Sequence, residues 1–189
     1  MFVALTPSEA ALDHLAEFLA PRREAEPGFR WTVDEQWHVT LAFLPRVEDR
    51  QLDDLLARLA RAAARRTSFS LTVAGGGAFP DAARAKVLYA GLDTGSSREE
   101  LSRLATGARA AAGKAGAETG GGGFSPHLTL ARISRPDDVS RWVKVLDTYR
   151  GPAWPASEIT LIESHLGEGP RRRPRYEVVD SFPLGRPQA

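Results

Sequence analysis

The sequence predicts an α+β fold of two lobes: two sheets dominated by antiparallel pairs, with helices outside them, related by a pseudo-twofold axis about a central cleft. Three observations predict it. Short apolar runs alternate with stretches of helical periodicity in the order β-α-β-β-α-β-β-α-β-α-β-β, so that several neighbouring strands are joined by connections too short for a parallel crossover. One short motif occurs twice, as His38-Val39-Thr40-Leu41-Ala42-Phe43 and His127-Leu128-Thr129-Leu130-Ala131-Arg132, 89 positions apart (127 − 38), and a helical pattern follows each copy. The chain has 189 residues and 42% hydrophobic content, enough to bury a core as a single domain over 1–189 built from two similar halves.

Taken in order, Phe2 to Thr6 is an apolar run stopped by Pro7, and Ser8 opens a helix from Glu9 to Ala20 with Leu12, Leu15, Phe18 and Leu19 at helical spacing. A charged loop punctuated by Pro and Gly leads to a short strand over Phe29 to Val33, a turn at Asp34-Glu35-Gln36, and the first motif strand, His38 to Leu44, closed by Pro45. Glu48 to Arg66 is an amphipathic helix with Leu52, Leu55, Leu56, Leu59 and Ala63 inward and its arginines on a solvated face. Ser68 to Ala74 alternates as a strand, which Gly75-Gly76-Gly77 ends in a turn or bulge; no helix start or Lys-Ser/Thr follows, so this is not a phosphate loop.

Lys86 to Asp93 is a further strand, and Ser96 to Ala112 a helix capped by Ser96 or Ser97 with Glu99 and Glu100 in its first turn. Gly120 to Gly123 forms a loop, lid or linker, ahead of Phe124-Ser125-Pro126, where Pro126 biases Ser125 toward an extended backbone entering the second motif strand. Pro136 to Tyr149 reads as a shorter helix, and Ile159 to Leu166 and Arg175 to Val179 as the last strands. The Arg171-Arg172-Arg173-Pro174-Arg175 cluster between those strands reads as solvated ahead of a nucleic-acid contact.

Composition narrows the classes. Basic and acidic residues number 25 and 24, so the net charge of +1 neither favours nor excludes a polyanion and any phosphate-binding surface must be local. The absence of cysteine rules out disulfides and thiolate zinc sites and fits a reducing compartment. The opening MFVALTPSEAALDHL lacks a basic region followed by a long apolar stretch, and no run approaches the roughly 18 apolar residues of a membrane span. A soluble cytoplasmic protein with no membrane partner, and a monomer, is expected.

The repeated motif carries chemistry. Alternation along a strand puts His38 and Thr40 on one face and Val39, Leu41 and Phe43 on the other, and sets His127 and Thr129 against Leu128 and Leu130 in the same way. In-line displacement at phosphorus needs a base on one side and an acid on the other. Two imidazoles on opposite walls of a cleft supply both, since a pKa near about 6.5 keeps neutral and protonated forms accessible, and a threonine hydroxyl can donate to a non-bridging phosphate oxygen. There is no Cys, His-x-His or His-Glu-x-x-His to suggest zinc, and no Gly-x-Ser-x-Gly elbow to suggest a serine hydrolase. His14, off the apolar stripe of its helix, reads as a surface residue, and His165 lacks a Thr two residues on.

With the motifs HVTLAF and HLTLAR stand the opening MFVALTP, RWTVDEQW, GGGAFP before KVLYAGL, FSPHLTLAR, and ITLIESHL with RYEVVDSFPL. Together they resemble the two-histidine phosphoesterase superfamily, and within it the bacterial and archaeal RNA 2′,3′-cyclic phosphodiesterases, also called 2′-5′ RNA ligases. That resemblance implies a bilobal fold with both motifs lining a central cleft, no cofactor, and metal-independent hydrolysis of RNA 2′,3′-cyclic phosphate ends to 2′-phosphomonoesters. It implies His38 and His127 as the catalytic pair, Thr40 and Thr129 as phosphate-binding hydroxyls, and Arg132 as a further hold on the substrate phosphate. Strict alternation, however, puts Arg132 on the face opposite His127, so it reaches the cleft only if the strand ends or bulges first. Pro45 stands where the family usually has Gly. The implied partners are RNA ends or nucleotides bearing a 2′,3′-cyclic phosphate. Two alternatives stay open: an RNA-end-binding module or weak 2′-5′ RNA ligase, and a hydrolase of a small cyclic nucleotide.

Overall fold

Strand β1 (Phe2–Leu5) is four apolar residues buried on both faces, and the rest of the sheet is laid out around it. The computed structural model describes residues 1–24, 26, 28–170 and 173–185. After β1 come α1 (Glu9–Arg23), β2 (Arg30–Trp31), β3 (Val39–Phe43), α2 (Asp49–Ala63), β4 (Phe69–Phe79) and β5 (Ala85–Asp93). The chain continues with α3 (Arg98–Lys114), β6 (Leu128–Asp137), α4 (Ser140–Leu146), β7 (Arg150–Ala156), β8 (Glu158–His165) and β9 (Arg175–Pro183). Ser8 caps α1 through the Ala11 N–H, and Glu48 and Gln51 form a reciprocal capping box on α2.

The strands run in the order β7-β4-β5-β6-β3-β1-β8-β9, every pair antiparallel, with β2 added alongside β6. The two expected sheets are present as the halves of this one. Outward from its middle, β6-β5-β4-β7 on one side matches β3-β1-β8-β9 on the other, and β3 meets β6 through the pair Val39↔Leu128. Helices α2 and α3 pack on each other and against β9 and β3, while α1 and α4 lie against β7 and β4, so each half carries its own pair. Between helices and sheet runs the main core, with Leu5, Leu15, Leu41, Leu59, Leu88 and Leu130 among its members. The opposite face of the sheet holds a small second cluster, Phe2, Ala4 and Ile162 with Tyr176 against them.

The structure departs from the sequence expectations at several elements. β7 was not predicted, because Pro152 and Pro155 argue against a strand; it lies at the sheet edge, where a missing N–H costs no ladder bond. The glycine run does not end its strand: β4 continues through it to Phe79, with Gly75 at φ +64° and a register shift between Val73 and Gly76, so the bulge is the form realised. A Cβ on Gly76 would come within 2.6 Å of the Leu146 side chain and the Tyr89 carbonyl, and one on Gly77 would overlap the Tyr89 ring. β6 runs on to Asp137, which shortens α4 at its start, and the strand expected over Phe29 to Val33 is only Arg30–Trp31. Among the described residues no helix is long and apolar enough to cross a membrane. Arg171 and Arg172 of the basic cluster lie outside the described residues.

Candidate active site

His38 and His127 each stand one residue ahead of a strand, β3 and β6, and each is held by the same local device. Nδ1 of His38 lies 2.7 Å from the carbonyl oxygen of Gln36, and Nδ1 of His127 lies 2.7 Å from that of Ser125. A carbonyl only accepts, so Nδ1 carries the hydrogen in both rings, and Nε2 is the atom left to take up or give a proton. Trp37, buried in the core, anchors the backbone before the first motif strand, as Pro126 constrains it before the second. Aromatic neighbours fix the ring planes. His38 stacks on Phe2 at 4.5 Å and meets the edge of Tyr176 at 5.7 Å; His127 lies 5.0 Å from Phe79 and 5.2 Å from Tyr89.

The Val39↔Leu128 pairing brings the two motifs side by side. Extending that antiparallel register by one residue in each direction sets His38 across from Thr129 and Thr40 across from His127. The two imidazoles are then diagonal neighbours on one face, a separation of roughly 7–8 Å in a regular pair. Each is less basic than an ordinary imidazole. Burial is the main cause for His38; the Gln36 carbonyl opposes it, while His127 and Arg132 add to the lowering. Burial is again the main cause for His127, with the Ser125 carbonyl opposing and Arg132 adding.

Arg132 therefore lies on the histidine face, and a bulge puts it there. Opposite β5, Tyr89 pairs with Thr129 and Leu88 with Ala131, which leaves Leu130 as an extra residue. Leu130 and Ala131 both turn into the core, so the next side chain, Arg132, emerges on the Thr129 face and is exposed. The first motif repeats this. Opposite β1, Ala4 pairs with Thr40 and Val3 with Ala42, Leu41 is the extra residue, and Phe43 emerges 55% exposed. Expected on the hidden face, Phe43 is instead the counterpart of Arg132.

The other histidines fall away from this cluster. His14 is exposed on α1, its Nδ1 3.1 Å from the Tyr149 hydroxyl. His165 pairs across β9 with Arg175, one residue out of phase with Tyr176, and faces Glu163, Glu168 and Glu177 at 3.4–3.8 Å. Among the described residues no group of three or more His, Cys, Asp or Glu side chains is placed to hold a metal ion. The glycine loop begins against the exit of the first motif strand, where the Gly120 N–H donates to the Phe43 carbonyl at 2.8 Å. Sequence reading missed Gln36. Its carbonyl orients His38 and its side-chain Nε2 donates to the Pro174 carbonyl at 2.9 Å, tying the loop after β8 to the turn before β3.

A helix-backed antiparallel sheet in which two His-x-Thr strand starts meet at the middle defines the two-histidine phosphoesterase class. The chain belongs to the LigT-like phosphoesterase family, whose sequence profile matches residues 5–89 and 92–171. It is 31% identical to the RNA 2′,3′-cyclic phosphodiesterase of Thermus thermophilus, over 86% of this chain and 81% of that protein. It is 26% identical to the protein of that name from Geobacillus stearothermophilus, matching over 97% of this chain but spanning only 56% of that relative's length. The crystal structure of Escherichia coli LigT in apo form shares the fold, with a TM-score of 0.76, 23% identity, and coverage of 98% of this chain and 96% of the other.

Proposed function

We propose that the protein hydrolyses RNA 2′,3′-cyclic phosphate ends to 2′-phosphomonoesters, without a metal, using His38 and His127 as its acid and base. The observation that most supports this reading is the junction of the two motifs at Val39↔Leu128, with Nδ1 of each histidine committed to a backbone carbonyl and Nε2 free for proton transfer. Relatives that carry the name RNA 2′,3′-cyclic phosphodiesterase support the substrate class.

In the proposed reaction, a neutral imidazole takes a proton from water as its oxygen attacks phosphorus, and the P–O3′ bond breaks in line with it. The second imidazole, protonated, gives its proton to O3′. One water is consumed, and the pair is restored when the protonated base passes its proton to solvent and the other ring regains one. Thr40 and Thr129, each across from the other motif's histidine, donate to the non-bridging oxygens, and Arg132 balances the charge they share.

Incubation with an oligoribonucleotide ending in a 2′,3′-cyclic phosphate should yield a 2′-phosphate end, and added chelator should leave the rate unchanged. His38→Ala and His127→Ala should each slow turnover on the order of 10²-fold or more while the fold is retained by circular dichroism. Full activity in either variant would overturn the mechanism. Binding of the end with no turnover by the parent protein would assign the cleft to RNA-end recognition instead.

A further inference from the structure

Beside the paired motifs, between β2 and the segment leading into β9, is a hollow lined by Arg30, Trp31, Gln36, Arg132, Arg173 and Tyr176 among others. Its charge is hard to explain as architecture. Arg30 and Arg132 are direct cross-strand partners in the β2–β6 pair, and like charges directly opposite each other in an antiparallel pair are destabilising. Among the described residues no carboxylate lies within 4.0 Å of the Arg30, Arg132 or Arg173 guanidinium. Glu35, which lines the adjoining hollow with Arg173, forms no ion pair with it. Three guanidiniums gathered without counter-charge are a site for an anion.

One phosphate does not account for all three. Arg132 bears on both imidazoles and, on the reading proposed above, is the cation for the reacting phosphate. Arg30 lies across from Arg132 on β2, further along the edge of β6 that β3 joins, and Arg173 faces the same hollow from the loop. The hollow is also fixed relative to the reaction centre: Gln36 holds the Pro174 carbonyl with its side chain and His38 with its own carbonyl, and Tyr176 packs on both Phe2 and His38. A mononucleotide 2′,3′-cyclic phosphate brings a single phosphate and leaves Arg30 and Arg173 unmatched. A chain end brings a second, the phosphodiester on the 5′ side of the terminal nucleoside, and Trp31 and Tyr176 add aromatic surface beside it.

We propose that Arg30 and Arg173 form a subsite for the phosphodiester immediately 5′ of the reacting nucleoside, so that the linkage before the terminal nucleoside adds to the hold on the substrate. The inference rests on the cyclic phosphodiesterase reading above.

The test compares kcat/KM on adenosine 2′,3′-cyclic monophosphate with kcat/KM on a short single-stranded oligoribonucleotide ending in a 2′,3′-cyclic phosphate. The parent protein is set against the Arg30→Gln/Arg173→Gln double variant and against Arg30→Lys, over a series of salt concentrations. The parent should favour the oligonucleotide, and in the double variant the oligonucleotide-to-mononucleotide ratio should fall about tenfold or more, through KM. The slope of log kcat/KM against log salt on the oligonucleotide should become shallower by about 0.7 for each contact removed. Arg30→Lys, which keeps the charge, should hold most of the ratio, which a packing role for the guanidinium would not allow. A parent protein that turns over both substrates with no preference for the oligonucleotide, or a double variant whose ratio equals the parent's, would overturn the subsite and leave the activity standing. A parent protein that turns over neither would overturn the activity and the subsite with it.

Discussion

His38 and His127 are less basic than free imidazole because burial and the Arg132 charge both oppose a second positive charge in the cleft. At neutral pH the empty site therefore holds both rings mainly neutral. On the proposed reading an arriving phosphate supplies the negative charge that lets one of them take a proton. On the proposed reading, kcat/KM is bell-shaped in pH, and its optimum lies on the acid side of about 6.5, the ordinary imidazole value. Arg132→Gln removes a charge that depresses both pKa values, so both limbs should move to higher pH while the maximum rate falls; NMR titration of the imidazole C–H signals checks the shift directly. The histidines and threonines were legible in the sequence because polar residues interrupt an apolar run twice at one spacing. The face taken by Arg132 was not legible, since the extra residue at Leu130 is defined only by its partners on β5. Nor was Gln36, which acts through a backbone carbonyl and through a side-chain bond to a residue 138 positions away.

Within the elements, glycine has opposite values at two positions. Gly77 lies in β4 under the Tyr89 ring, which in turn leans on His127. Gly77→Ala should destabilise by about 1–3 kcal/mol, as overpacking does, and should slow turnover by displacing Tyr89. Gly107 lies within α3, where an added Cβ would meet only the Ala62 Cβ at 3.9 Å. There Gly→Ala should stabilise by about 0.5–1 kcal/mol, the helix-interior preference. Urea denaturation of the two variants gives both signs. The helices with long apolar periodicity, α1, α2 and α3, were legible to within a turn of their ends. The edge strand β7 was not, because its two prolines obey the rule for an edge and the sequence does not say which strand is outermost.

Across the whole molecule, the duplication could be read from the sequence, and the joint between the copies could not. Strands β3 and β6 share a single ladder pair, so the separation of the histidines depends on what holds Val39 and Leu128 together from below. Both are fully buried, as is Leu161 in β8, well away from the joint. Leu128→Ala and Leu161→Ala should each cost about 2–5 kcal/mol, the usual range for a buried leucine. Assayed at a temperature where both remain folded, only Leu128→Ala should lower kcat.

The twin bulges at Leu41 and Leu130 bear on the direction of bond breaking. Two identical halves would surround a bound phosphoryl group alike after a half-turn, and nothing in the protein would then choose which histidine activates water and which protonates the departing oxygen. On the proposed reading that choice is a matter of broken symmetry, and it resides in the positions where the halves differ. At the bulges they differ by an uncharged ring at Phe43 and a cation at Arg132, so the repeat placed unlike side chains on the two sides of the site.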